Sequence, residues 1–172
     1  MVATTTWYEQ NGAASGTPAS GTESTISSCD WKNVDDTTTS RVSSPVVAGE
    51  NSFAKYIYLK FSGVFNQISA VKFAHTSGTL GSGISLKSKV TSTYATPSKS
   101  ALTSAADITA PTSAGSGASV LLGASGPNDG NPEAASTTEC YTQYLVTQVQ
   151  TTALAQAGDS GTVTLTVQYN EN

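Results

Sequence analysis

Residues 162–169 read TVTLTVQY, and the alternation in them is unbroken. Val163, Leu165, Val167 and Tyr169 fall on one side of an extended backbone, and Thr162, Thr164, Thr166 and Gln168 on the other. Successive side chains of a strand point to opposite faces, so this pattern predicts a strand with one buried and one wet face. Upstream, residues 140–150 read CYTQYLVTQVQ. Tyr141, Leu145 and Val149 share one parity, Tyr144 and Val146 the other. Apolar residues on both parities predict a strand covered on both faces. The two runs, joined by TTALAQAGDSG, read as a closing pair that the rest of the chain must cover.

Further strands follow the same rule. In FAKYIYLKF, Phe53, Ile57, Leu59 and Phe61 point one way, while Tyr56, Tyr58 and Lys60 point the other. A turn near Gly63 leads to VFNQISAVKFA, read as the partner strand, with Val71 and Phe73 on one face. GISLKSKV buries Ile84, Leu86 and Val90 and exposes Lys87 and Lys89. Asp107–Thr109 and SVLLG read as short strands. The reading is an all-β, two-sheet β-sandwich, jelly-roll or Ig-like, of about eight or nine strands.

Residues 1–50 show little periodicity and read as an N-terminal arm or extended segment, leaving 51–172 as the sandwich domain. Ile26, Cys29 and Trp31 suggest one short strand within the arm. Trp7, Tyr8 and Trp31 are large anchors in an otherwise slight segment. They either plug the local core or dock in a neighbour's pocket, as Trp and Tyr do at interfaces. Tyr56, Tyr58 and Tyr144 pose a similar choice: a face that stacks on sugars, a protein interface, or core.

Ser and Thr supply about three residues in ten, and charged residues 12%, with a net charge of −4. Such a surface is neutral and rich in hydroxyls. It offers no basic stripe for a phosphate backbone, so no nucleic-acid partner is expected. No apolar run approaches the roughly 18 residues that a membrane helix needs, so no membrane partner is expected either. MVATTTWYEQ has no basic start and no apolar core, hence no expected secretory signal. Free, buried thiols at Cys29 and Cys140 are therefore favoured over a disulfide. No Asn-x-Ser/Thr sequon occurs.

Candidate chemistry is sparse. Gly158-Asp159-Ser160-Gly161 resembles the nucleophile segment of trypsin-like proteases, and His75, Asp107 and Ser160 follow that family's order. Only eleven residues follow the motif, however, too few to build a specificity pocket, so a tight turn is the better reading. Asp35-Asp36, and Asp129 with Glu133, lie in loops. The second pair is a thin candidate for Ca²⁺. Neither pair resembles two carboxylates fixed across a glycosidase cleft. One His and two distant Cys do not make a zinc site. No catalytic residue, metal or cofactor is expected.

FAKYIYLKFSGVFNQISAVKF, GISLKSKVTSTYATP and the closing TVTLTVQYNEN, spanning roughly residues 53–172, resemble virion structural proteins of tailed bacteriophages. The likeness is greatest to head decoration (cement) proteins. The resemblance implies a non-enzymatic oligomer, with trimers favoured, on the capsid surface after synthesis in the host cytoplasm. Its partner would be the major capsid protein of the same virion. Under that expectation residues 1–50 clamp a neighbour through Trp7, Tyr8 and Trp31, with Tyr56 and Tyr58 as further interface candidates. A tail or baseplate component, and a carbohydrate-binding or adhesin module, are the rival readings.

Overall fold

The computed structural model describes residues 3–130, 138–156 and 161–172. The strands, in chain order, are β1 (Thr4–Ser15), β2 (Ser20–Thr25), β3 (Lys55–Ser62), β4 (Ile68–Gly78), β5 (Ile84–Thr91), β6 (Ala106–Asp107), β7 (Ala118–Ser119), β8 (Leu122–Gly123), β9 (Glu139–Thr142), β10 (Tyr144–Thr151) and β11 (Val163–Glu171). A 3-10 turn, Ala114–Ser116, precedes β7. The larger sheet runs β2-β1-β3-β10-β5-β6, with β9 against β3 and β8 against β9; the smaller runs β11-β4-β7. All pairings are antiparallel. This is an all-β, two-sheet sandwich. The strands exceed the expected eight or nine because β1 and β2 form a hairpin in the segment read as having little periodicity, and because the 140–150 run is divided into β9 and β10.

The larger sheet has two covered faces. Trp7 pairs with Leu59, and Ile57 with Leu145, which places these side chains together on the inner face. There they meet Val71 and Phe73 of β4 and Leu165, Val167 and Tyr169 of β11. Phe61, fully buried, contacts the Tyr169 ring edge-on at 4.7 Å.

The opposite parity builds a second core from Tyr56, Tyr58, Tyr144 and Val146, joined by Tyr8, Tyr94 and Tyr141. Tyr8 stacks on Tyr58 at 5.3 Å, and Tyr58 meets Tyr144 at 88°. The cover over this face comes from the β1–β2 hairpin and residues 92–104. Tyr94 donates its hydroxyl to Gly12 O at 2.8 Å, and Leu102 N–H donates to the Gln148 side chain at 2.8 Å. With both faces covered, β10 is buried on both parities, as its sequence predicts.

Two pairings differ from expectation. β10 and β11 are not partners but lie in opposite sheets, and so do β3 and β4. A strand buried on both faces sits in the interior of the wide sheet, flanked by β3 and β5. The half-wet β11 takes an edge. The chain crosses between sheets after β3 at Gly63, whose φ of 112° is a conformation that side chains resist.

Tyr141 also parts company with Leu145 and Val149. Lys60 pairs with Tyr141 and Ile57 with Leu145, so three steps on β3 face four on β9–β10. The extra residue is Gln143. A one-residue bulge reverses side-chain parity, so Tyr141 joins the tyrosine face while Leu145 enters the inner core. Gln143 N–H donates to Leu121 O at 3.0 Å, and its side-chain oxygen accepts from Leu121 N–H at 3.1 Å. The SVLLG segment is held there as a crossing between sheets, with Ala118 and Ser119 in one and Leu122 and Gly123 in the other.

The segment read as an N-terminal arm or extended segment packs along its own domain at its start. β1 pairs with β3 along seven residues, from Thr4↔Ser62 to Gln10↔Tyr56. Residues 26–48 carry no strand, so the one expected around Ile26 to Trp31 is absent. Residues on both sides of position 50 bond to the end of β10: Gly49 N–H donates to Thr152 O at 3.2 Å, and Asn51 bridges to Gln150.

Candidate functional site

The smaller sheet is three strands wide and the main path of the larger is six. Part of the inner face therefore has no strand above it, and residues 26–48 lie across it instead. Between this segment and β11 lies a cleft of about 970 Å³. Trp7, Ile57 and Val149, inner-face residues of the large sheet, form its floor; Val163 and Leu165 form one wall, and Trp31, Pro45 and Val46 the other. The lining is mainly apolar, within the size range of sites that take ligands or peptide side chains.

Buried charges fix the far wall. Lys55 Nζ lies 2.7 Å from Glu9 Oε1, and both side chains are almost fully buried. The same ammonium donates to Asp36 O at 3.1 Å. Lys32, 2% exposed, pairs with Asp36 Oδ1 at 2.8 Å and donates to Thr39 O at 2.5 Å. Asp36 also accepts from Thr39 N–H at 2.8 Å. The Lys32 and Thr39 bonds hold its carboxyl well below the ordinary carboxylate range. Asp35 accepts from Asn11 Nδ2 and Gly12 N–H, at 2.9 and 2.7 Å. The acidic pair that reads as an idle loop is thus the staple joining residues 30–39 to β1 and β3. Trp31 completes the wall by donating its indole N–H to Thr147 Oγ1 at 3.1 Å.

The five expected interface residues separate into two groups. Trp7 and Trp31 line the cleft. Tyr8, Tyr56 and Tyr58 belong to the tyrosine core on the opposite face, with Tyr56 and Tyr58 only 6% and 1% exposed. Tyr58 also donates to the Glu23 carboxylate. Buried as they are, Tyr56 and Tyr58 offer no exposed ring to sugar or partner, so their place as surface anchors is corrected to core. Tyr144, wholly buried, is core as well.

The signal missed in the sequence is RVSSPVVA, residues 41–48. Among the described residues the exposed large apolar side chains are Val42, Val47, Val64 and Leu154. Val42 and Val47 line the cleft, and Leu154 adjoins its lining residue Ala155. Apolar surface is thus concentrated at one mouth, the pattern of a docking site.

His75 and Asp107 of the candidate triad are not paired with each other. Both ring nitrogens of His75, a buried residue, lie 2.8 Å from backbone carbonyls, of Ile108 and Ser77. Asp107 is on the surface, paired with Lys87 at 2.7 Å. The Lys87 and Thr109 bonds lower its carboxyl to about 2. Ser160 lies outside the described residues, as does Glu133 of the Ca²⁺ candidate. Asp129 accepts from Ser125 N–H at 2.9 Å. Among the described residues no three His, Cys, Asp or Glu side chains are gathered as metal ligands, and no helix is long and apolar enough to cross a membrane. Cys29 and Cys140 are free thiols, which burial pushes up to about 12. Compared with known proteins, the chain matches no family model, no curated protein and no solved structure.

Proposed function

We propose that this chain is a virion structural protein that acts by binding other protein subunits, in the manner of a capsid decoration protein. The observation that carries the reading is the exposed pair Val42 and Val47 at the cleft they line, with exposed Leu154 next to the lining residue Ala155, on a surface rich in Ser and Thr. Exposed apolar residues gathered at one place are the physical requirement for a protein contact, and the hydroxyl-rich remainder keeps the molecule soluble around it. Resemblance to decoration proteins supplies the partner, the major capsid protein, and favours a trimeric arrangement bridging capsid subunits.

In this reading the gripping surface is the cleft rather than a mobile arm, since β1 is an interior strand of the large sheet. Binding the assembled shell better than free subunits stabilises the shell by the difference in binding free energy. The test is copurification with intact particles. Hundreds of copies per particle, with loss of shell heat stability when the protein is stripped off, is the expected result. A few dozen copies indicates a tail component, and absence from particles overturns the proposal.

A further inference from the structure

We infer that the cleft beside β11 receives an extended, uncharged segment of a partner polypeptide, which adds to the free edge of β11 as a fourth strand of the smaller sheet. The inference deepens the proposed gripping role and rests on it.

The placement begins with the sheet. Among the described residues the nine-residue β11, which has no proline, pairs with β4 alone, through eight residue pairs with two register shifts, so its other edge presents main-chain donors and acceptors without strand partners. Natural edges of this length are usually guarded by charge, proline or a cover. From Thr162 to Asn170 there is no Lys, Arg, Asp or Glu.

The side chains agree. Ile68, Val71 and Phe73 of β4 are at most 3% exposed. Val163, Leu165, Val167 and Tyr169 of β11, although they face the same core, are only half buried. The cleft runs beneath the first half of β11, over Trp7, Ile57 and Val149. One more strand at this edge would place alternate side chains in the cleft and complete the burial of β11.

Hydrogen bonding decides between kinds of occupant. An alkyl chain fills apolar volume but cannot satisfy main-chain N–H and C=O groups, whereas an added strand does both. Area decides between a flat face and an inserted segment. Stable protein pairs bury roughly 800 Å² per partner. Three rim residues fall well short of that, while a strand held by floor, edge and wall is enclosed along its length. Charge decides its composition: among the described residues the charged side chains lining the cleft are Arg41 and Asp30, 3.9 Å apart and of opposite sign. The edge itself is neutral, so the segment is uncharged, with apolar residues at alternate positions.

Trp7 and Trp31 are the two tryptophans of the chain, and both line the cleft, so occupancy has its own optical reporter. The experiment titrates the full chain with a capped peptide TVTLTVQY, which is uncharged and alternating, and reads tryptophan emission. TKTKTKQY and palmitate serve as comparison probes. The expected result is a saturable blue shift with TVTLTVQY and none with TKTKTKQY. Thr164→Lys with Gln168→Lys, both exposed positions, should weaken the peptide by roughly tenfold or more at an unchanged melting temperature. Val163→Lys, with its charge pointing inward, should abolish the shift.

No shift, equal binding of both peptides, or an indifferent lysine pair overturns the inference. Palmitate excluding the peptide assigns the cleft to a lipid and also overturns it. So does self-association of the chain that the lysine pair abolishes, which assigns the edge to a second copy. Particle copurification is read separately, so peptide binding without particles, or particles without peptide binding, shows which of the two proposals has failed.

Discussion

Lys55 Nζ and Glu9 Oε1 lie 2.7 Å apart at a place where the side chains are 1% and 3% exposed. Asn11 Nδ2 donates to the same Glu9 oxygen at 2.6 Å. Both ions have left water, and each is tolerated only because the other is present. Replacing Glu9 by Leu strands a buried ammonium and should cost about 3–5 kcal/mol in urea unfolding. Replacing Lys55 by Met should cost a similar amount. The double variant should be less destabilised than either single one, since it buries no unpaired charge. A double-mutant cycle showing simple additivity would remove the pair from this role.

Acid should loosen the cleft wall through Asp36. Its folded carboxyl titrates below the unfolded value of about 3.9. In that interval the unfolded chain binds the proton and the folded chain does not, so stability is intact above about pH 4 and falls as pH drops through the folded value. Asp36→Asn should be less stable than the parent at pH 5 and show a shallower loss between about pH 4 and pH 2. Equilibrium unfolding at several pH values measures both slopes. Equal slopes would mean that Asp36 is not the group responsible.

Alkali should act through the opposite face. Burial raises the hydroxyls of Tyr58, Tyr94 and Tyr56, and that of Tyr144 to about 12. Above pH 10 or so the unfolded chain has lost protons that the folded chain keeps, so stability declines as pH rises. Absorbance near 295 nm should show these tyrosines ionising together with unfolding rather than before it. A smooth titration of all seven tyrosines with the fold intact would contradict the buried cluster.

Gly21 is a packing position. A Cβ there would lie 2.4 Å from Asn11 O and 2.4 Å from the Tyr94 hydroxyl. Gly21→Ala should therefore displace Tyr94 from its bond to Gly12 and cost about 1–3 kcal/mol. The paired variant with Tyr94→Phe should recover a small part of that loss, since the hydroxyl is one of three crowding atoms, while Asn11 O and the Tyr94 ring carbon at 2.6 Å remain. Thermal melts of the three variants check the order.

Period-two alternation made β3, β5, β10 and β11 legible, because each keeps one parity facing the inner core. Pairing was less legible. Nothing in CYTQYLVTQVQ marks Gln143 as an extra residue; its bulge shows only in the register against β3. The tyrosine face was open to misreading because its cover is loop and hairpin, segments without periodicity. Trp7 and Trp31 stand out in the sequence as large anchors, but the cleft that both line depends on residues 26–48. That wall is organised by ion pairs and backbone bonds, so its residues carry no repeating pattern. Asp36 and Lys32 stand four apart in a stretch of Asp and Thr, and only burial distinguishes their pairing from a solvated one.

The assignment of β10 and β11 to opposite sheets has a consequence during biosynthesis. β4 emerges from the ribosome long before β11, its only long partner, and until then Ile68, Val71 and Phe73 have a neighbouring strand only at β7. The larger sheet can zip up once β10 is made, yet its inner surface stays unroofed until β11 follows. A translation product stopped between the two would carry an exposed greasy face, the kind of surface that chaperones hold and proteases clear. Closing the sandwich with a strand made after all the others thus ties the covering of the greasy face to the synthesis of β11.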